Sequence, residues 1–293
     1  MPLRNEVKML RGKKPTSIEK RLKTLFYGGA GVGKTTAAIQ FPKPYLIDTE
    51  RGAENDQYVK MLENKGGAIF QTTDFDEMIT EIKSLLTEKH EYKTLIIDPL
   101  TTVYNNLLDE ASESVGTEFG RHYGEANKNM KRLLNLLLRL DMNVIITSHS
   151  KNEYGQDLKV LGQTFDCYKK LDYLFDLVIE IQKRGVERYG VVKKTRIANF
   201  DELESFVFSY DAFAEKYGAG ILEKDASPQV LSNPEQVAEL CRLIDLLKID
   251  EATTKRWLDK AQASKFEEME SQHIEKCIAM LDKKLNPKKG SEE

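Results

Sequence analysis

Residues 23–36 read KTLFYGGAGVGKTT, a short apolar run that breaks into glycines and then into Lys-Thr-Thr. Gly28, Gly33, Lys34 and Thr35 satisfy the G-x-x-x-x-G-K-[ST] phosphate-loop pattern. A loop with so little side-chain bulk, entered from a strand and left through a helix, can turn successive backbone N–H groups toward a polyphosphate. The residues placed to contact it are Gly28, Gly29, Ala30, Gly31, Val32, Gly33, Lys34, Thr35 and Thr36. Lys34 is expected to reach the β- and γ-phosphates, and the Thr35 hydroxyl to complete a Mg²⁺ shell. The chain is therefore expected to bind a nucleoside triphosphate.

The rest of the chain must supply the walls of that site. Residues 44–50, PYLIDTE, form an apolar strand ending in Asp48 and Glu50, where open α/β sheets place ligands. Residues 67–73, GAIFQTT, read as a further strand, and Asp74 caps a helix with Phe75, Met78, Ile79, Ile82, Leu85 and Leu86 on one face. The run KTLIIDPL has the continuous apolar character of a buried parallel strand and ends in Asp98, a carboxylate suited to the Mg²⁺ shell. Pro99 follows, so an adjacent acidic pair is missing and a catalytic base must come from elsewhere. Glu50 is the candidate.

Residues 117–140 show helical spacing through Met130, Leu133, Leu134, Leu137 and Leu138, and carry Arg121, His122, Lys128, Lys131 and Arg132 on what reads as a solvated face. NVIITSHS then reads as a strand ending in Ser148 and His149, placed to touch a γ-phosphate. The polar segment 151–165 is expected to be a mobile functional loop. LVIEIQ and RYGVVKKTRIA, separated by a turn with Gly185, predict an antiparallel hairpin, and SFVFSY a further strand. Asn233, Pro234 and Gln236 carry the signature of a capped helix start, and two more short helices follow.

Composition narrows the function classes. A net charge of −3 with 31% charged residues gives no global basic field, so any nucleic-acid surface must be local. Cys167, Cys241 and Cys277 lie far apart with no metal-ligand spacing, which points to a reducing cytosol. The basic N-terminus has no apolar segment of signal-peptide type, and no apolar run is long enough to span a bilayer. A soluble cytoplasmic protein with no membrane partner is expected. The absence of N-K-x-D speaks against a GTPase, and the absence of S-G-G-Q against a transporter ATPase.

The order of these motifs resembles the RecA-like recombinase core, and most closely the phage-type RecA-like proteins of the Sak single-strand annealing group, over about residues 23–210. The resemblance implies an α/β fold with a mainly parallel central sheet flanked by helices. It also implies an ATPase that acts on single-stranded DNA as a homo-oligomer, ring or filament, in a host cytoplasm if the chain is phage-encoded. By the same resemblance Glu50 in YLIDTERGAE activates the attacking water, and Asp98 with Thr35 holds Mg²⁺. His149 stands where the family has a γ-phosphate-sensing Gln, and segment 151–165 becomes the candidate DNA contact. Lys193, Lys194 and Arg196 in VVKKTRIANF reach a neighbouring subunit's ATP, and Tyr58 stacks on adenine one residue out of register.

The chain thus divides into a basic N-terminal arm (1–22), a RecA-like ATPase core (23–217), a linker (218–232), a C-terminal helical module (233–285) and a disordered tail (286–293). The module is similar to small helical modules appended to phage annealing proteins. It either recruits a single-strand-binding or replisome protein or only aids packing. Two other functions remain open at this stage: a helicase loader or protein-directed switch, and small-molecule phosphotransfer.

Overall fold

The computed structural model describes residues 20–155 and 159–286. Strands and helices alternate through β1 (Lys23–Gly28), α1 (Lys34–Ile39), β2 (Pro44–Asp48), α2 (Asp56–Asn64), β3 (Ala68–Gln71), α3 (Phe75–Thr87), β4 (Thr94–Asp98), α4 (Leu100–Val115) and α5 (Arg121–Arg139). There follow β5 (Asn143–Tyr154), β6 (Val160–Phe165), the short α6 (Leu171–Leu174), β7 (Leu177–Arg184), β8 (Glu187–Thr195), β9 (Ser205–Val207), α7 (Tyr210–Tyr217) and α8 (Ala219–Leu222). Three helices close the described chain: α9 (Pro234–Leu246), α10 (Glu251–Ala261) and α11 (Ser271–Leu285).

The strand order is β3-β2-β4-β5-β1-β7-β8-β9. The first six are parallel, and β8 and β9 add an antiparallel edge. This is a mainly parallel α/β architecture with helices on both faces of the sheet. The central strands β1, β4 and the first half of β5 are buried on both faces, which is why they read as continuous apolar runs. In β1 Leu25 and Tyr27 enter one core cluster and Phe26 the other, and in β4 Leu95 and Ile97 oppose Ile96 in the same way. That period of two divides the helices between the sheet's faces, α3, α4 and α5 on one and α1, α2 and α7 on the other. Phe26 is fully buried among Phe41, Phe208 and Phe213, with ring centroids 5.3–6.5 Å away. Cutting Phe26 back to alanine would cost about 3–5 kcal/mol.

Of the segment expected to be a mobile loop, residues 156–158 lie outside the described residues, and the parts on either side of them are paired strands. The strand that begins NVIITSHS does not end at His149 but runs on to Tyr154, and β6 returns antiparallel to it, pairing Ser150 with Phe165 and Lys151 with Thr164. The physical reason is pairing without burial: Lys151 to Tyr154 are exposed, so they keep strand hydrogen bonds while carrying polar side chains.

Residues 1–19, most of the expected basic arm, lie outside the described residues. Arg21 and Leu22 are buried. The Arg21 guanidinium donates to Asp141 Oδ1 at 2.8 Å and to the backbone oxygens of Ile221, Lys224 and Asp225. The expected linker, 218–232, therefore begins with helix α8 and is then held down on the core. Further along it the Gln229 backbone N–H donates to Leu86 O, and its side chain exchanges hydrogen bonds with Arg139.

The C-terminal helices enclose a small core of Leu240, Leu243, Met269, Ile274 and Leu281. Asn233 and Gln236 form a reciprocal capping box at the start of α9. Cys241, which helical spacing alone would put on the buried face, is exposed, and Leu243 takes the inward position. Of the expected tail, residues 287–293 lie outside the described residues. Among the described residues no helix is long and apolar enough to cross a membrane.

Candidate active site

β1 lies between β5 and β7, and the loop after Gly28 rises from the carboxyl end of the sheet beside the ends of β2 and β4. A cavity of about 290 Å³ opens there. Ala30, Gly31, Lys34, Thr35, Asp48, Glu50, Tyr58, Asp98, Pro99 and His149 contribute to its lining. Residues from four separate sequence motifs thus converge on one space.

Close approach to backbone dictates Gly28, and a left-handed backbone dictates Gly33. A Cβ on Gly28 would stand 2.5 Å from Ile181 O of β7, and a Cβ on Gly33 would meet the Arg188 side chain of β8, 1.9 Å from its Nε. Gly33 also has φ +94°, a left-handed backbone that side-chain-bearing residues rarely adopt. Arg188 Nε is buried there with no hydrogen-bond partner among the described residues. Nothing in the sequence marks Arg188, because the β1–β7 pairing that carries the β7–β8 hairpin alongside the loop joins segments distant in the chain.

Lys34 folds back on the loop, its Nζ donating to Gly28 O at 3.0 Å and Gly29 O at 2.9 Å. Burial lowers its pKa, while the nearby Asp98 and Glu50 carboxylates oppose that shift. Asp98 accepts hydrogen bonds from the Thr147 and Thr35 hydroxyls. Burial raises the Asp98 pKa; those hydroxyls and Lys34 pull it down, and Asp48 pushes it up again. A hydroxyl and a half-buried carboxylate already in contact make a hard-oxygen pair suited to Mg²⁺. Among the described residues no group of three or more His, Cys, Asp or Glu side chains could hold a metal ion. An ion here would take the rest of its shell from phosphate oxygens and water.

Asp48 is buried and accepts from the backbone N–H groups of Glu50, Gly52 and Ala53 at 3.0–3.3 Å, so it shapes the turn that presents Glu50. Glu50 Oε1 accepts from Thr102 Oγ1 at 2.6 Å and lies 3.5 Å from His149 Nε2. The His149 backbone N–H donates to Thr101 Oγ1 at 3.0 Å, and its carbonyl accepts from the Asp166 N–H at 2.8 Å. Thr101 and Thr102 were not singled out by the sequence; the only signal was a pair of hydroxyls following the acidic strand. Through them α4 holds both Glu50 and His149.

Lys193, Lys194 and Arg196 are not brought into this cavity within the chain. Lys193 Nζ lies 3.1 Å from Glu180 Oε2, and Lys194 Nζ donates to the carbonyls of Asp172 and Phe175. Arg196 donates to Tyr173 O at 2.8 Å and lies 3.6 Å from Asp176. The two lysines line a different cavity, with Tyr27 and Gln163.

Residues 20–207 match the family model described as AAA domain. The chain belongs to that family. Among solved structures, a crystal structure of the RadB recombinase is similar, at 20% identity and a TM-score of 0.41, covering 62% of this chain and 84% of the other. A likeness at that level adds nothing to the reading of the site. No curated protein matches the chain. As an AAA-domain protein with a phosphate loop on a mainly parallel sheet, it has the framework of a nucleotide-binding ATPase.

Proposed function

We propose that this AAA-domain protein hydrolyses ATP with Mg²⁺ and couples the cycle to binding single-stranded DNA in annealing or recombination. The observation that carries the catalytic part is the convergence of Glu50 and His149 on the cavity that also holds Lys34, Thr35 and Asp98. The loop N–H groups and Lys34 hold the polyphosphate, Tyr58 packs against the base, and Thr35 and Asp98 hold Mg²⁺. A bound ion would supply neutralisation of phosphate charge there. Glu50, fixed by Thr102, takes the proton from the attacking water, and His149 senses the γ-phosphate.

Lys193, Lys194 and Arg196 lie outside the chain's own cavity, which supports a role in trans, in a ring or filament that shares sites between subunits. The C-terminal module, with its separate core, is proposed to receive a single-strand-binding or replisome protein.

The test of the catalytic part is ATP turnover by Lys34 variants mixed with Lys193 or Arg196 variants. Recovery of activity on mixing supports shared sites, and no recovery in any ratio counts against them. The DNA part is tested by binding to single-stranded oligonucleotides with and without an ATP analogue. Turnover without any such binding would favour a helicase loader or protein-directed switch.

A further inference from the structure

A second cleft, of about 460 Å³, is lined by Tyr104 of α4, Tyr123, Asn127 and Lys131 of α5, and Tyr168, Lys169 and Lys170 of the turn after β6. Its floor is aromatic. The Tyr104 and Tyr168 rings meet edge to face with centroids 6.1 Å apart, and the Tyr104 hydroxyl donates to Asn127 Oδ1 at 3.0 Å, which fixes the ring. Tyr123 stands on the wall, 52% exposed, its ring 4.2 Å from that of His122.

Lys131, Lys169 and Lys170 are exposed, and their ammonium groups have no ion-pair or hydrogen-bond partner among the described residues. No acidic side chain is among the lining residues. On a chain of net charge −3 this is a local basic site built around ring faces. Aromatic platforms flanked by unpaired cations are how proteins hold single-stranded nucleic acid without reading its sequence. The walls are helices and a turn, so no free strand edge is offered to an extended peptide.

We infer that this cleft is where single-stranded DNA binds, bases stacking on Tyr123 above the Tyr104–Tyr168 floor and phosphates taken by Lys131, Lys169 and Lys170. The inference rests on the single-stranded DNA reading proposed above and gives it a place other than the segment 151–165. The cleft is also wired to the nucleotide site. Tyr168 lies two residues from Asp166, whose backbone N–H is bonded to His149 O at 2.8 Å and lies 3.2 Å from Ser148 Oγ. A shift of His149 with the state of the γ-phosphate would be passed to one wall of the cleft.

The experiment is fluorescence anisotropy of labelled oligo(dT) with the full chain and an ATP analogue, over a series of salt concentrations. The triple variant Lys131→Ala/Lys169→Ala/Lys170→Ala is expected to bind more weakly, with a log–log salt slope shallower by about 2, since each single-strand phosphate contact contributes about 0.7. Tyr123→Ala is expected to lose about tenfold in affinity, and Tyr123→Phe to keep it, because the ring face does the stacking. Lys255→Ala, on an exposed lysine of α10, serves as the control and is expected to bind as the wild type does.

If the wild type binds and the cleft variants match it in affinity and slope, the cleft is wrong and the DNA reading stands. If the wild type binds no oligonucleotide in any nucleotide state, the DNA reading falls and the cleft with it. Photocrosslinking of an iododeoxyuridine oligonucleotide to the wild-type chain avoids any question of variant folding. A crosslink is expected on the peptides bearing Tyr123 or Tyr168, and crosslinks only elsewhere would overturn the assignment.

Discussion

The Glu50 carboxylate and the His149 imidazole face each other at 3.5 Å across the mouth of the phosphate-loop cavity, and Thr102 hydrogen-bonds the same Glu50 oxygen. If Glu50 is the base, Glu50→Gln should leave ATP affinity unchanged and lower turnover by about 10²–10⁴. Thr102→Ala frees the carboxylate without removing it, and a misplaced base should lose less, about ten- to a hundredfold. Phosphate release and equilibrium nucleotide binding on the same preparations check both. Wild-type turnover in Glu50→Gln would remove Glu50 from the role.

Gly33 and Arg188 give a second expectation. Gly33→Ala places a methyl group 1.9 Å from Arg188 Nε on a backbone at φ +94°, so it should lower thermal stability and abolish nucleotide binding. In Gly33→Ala/Arg188→Ala the clash is gone while the backbone strain, about 1–3 kcal/mol, remains. The double variant should therefore melt between Gly33→Ala and wild type. Equal melting of the single and double variants would show that the Arg188 side chain yields to the methyl group and that the backbone strain alone sets the cost.

These two sites differ in how far the sequence could reveal them. Lys34, Glu50, Asp98 and His149 follow apolar runs that must be buried strands, and parallel strands deliver their carboxyl ends to one side of a sheet, so their convergence was readable. The β7–β8 hairpin was readable from Gly185 between two apolar stretches, and α9 from the Asn233–Gln236 cap. Helix α4 was not, because Thr101, Thr102 and its serines dilute the spacing of Leu100, Val103, Tyr104 and Leu107. The β5–β6 pairing was hidden for a related reason: a paired ribbon in solvent needs no alternation of apolar residues. The contact of Arg188 with Gly33, and the meeting of Tyr104, Tyr123 and Tyr168, depend on packing between elements distant in the chain, and no local pattern encodes them.

Lys23 leads to a pH prediction. Its side chain is buried, with Nζ donating to Leu140 O at 2.9 Å and Met142 O at 2.8 Å. Burial pushes its pKa down to about 7, aided by Arg21 and opposed by Asp141 and Asp176. Above pH 7 the unfolded chain keeps the lysine proton and the folded chain gives it up. The unfolded state then binds more protons, so stability rises with pH, by at most about 1.4 kcal/mol per unit from this group. Urea unfolding at pH 7, 8 and 9 should show that rise in the wild type and a flatter profile in Lys23→Met. Parallel profiles would mean that Lys23 does not titrate on unfolding in this window.

Glu268 carries the last prediction, on the seam between the C-terminal helices and the core. Its carboxylate is buried and lies 3.0 Å from Lys83 Nζ and 3.3 Å from Arg132 Nε, and it accepts from the Ser264 N–H at 3.0 Å. Burial alone would raise its pKa, but Lys83, the Ser264 N–H and Arg132 outweigh burial and hold it below the ordinary glutamate value. Glu268→Gln keeps the shape and loses the charge that both cations face. Because Lys83 and Arg132 are partly exposed, the loss should be that of charge-assisted hydrogen bonds, about 2–3 kcal/mol, not that of a fully buried pair. Arg139 still donates to Glu268 O, so the seam should weaken without opening fully. The sign with pH follows: a carboxylate with a depressed folded pKa stabilises above its unfolded value and loses that contribution as pH falls through the folded one. The gap between wild type and Glu268→Gln should therefore be full at pH 7 and close in acid. Calorimetry should show the gap, with the α9–α11 core melting ahead of the sheet in the variant. Arg242→Ala, which breaks an exposed pair with Glu239, should shift nothing beyond about 0.5 kcal/mol. A Glu268→Gln gap that persists unchanged at acidic pH would show that packing, and not the charge, holds the seam.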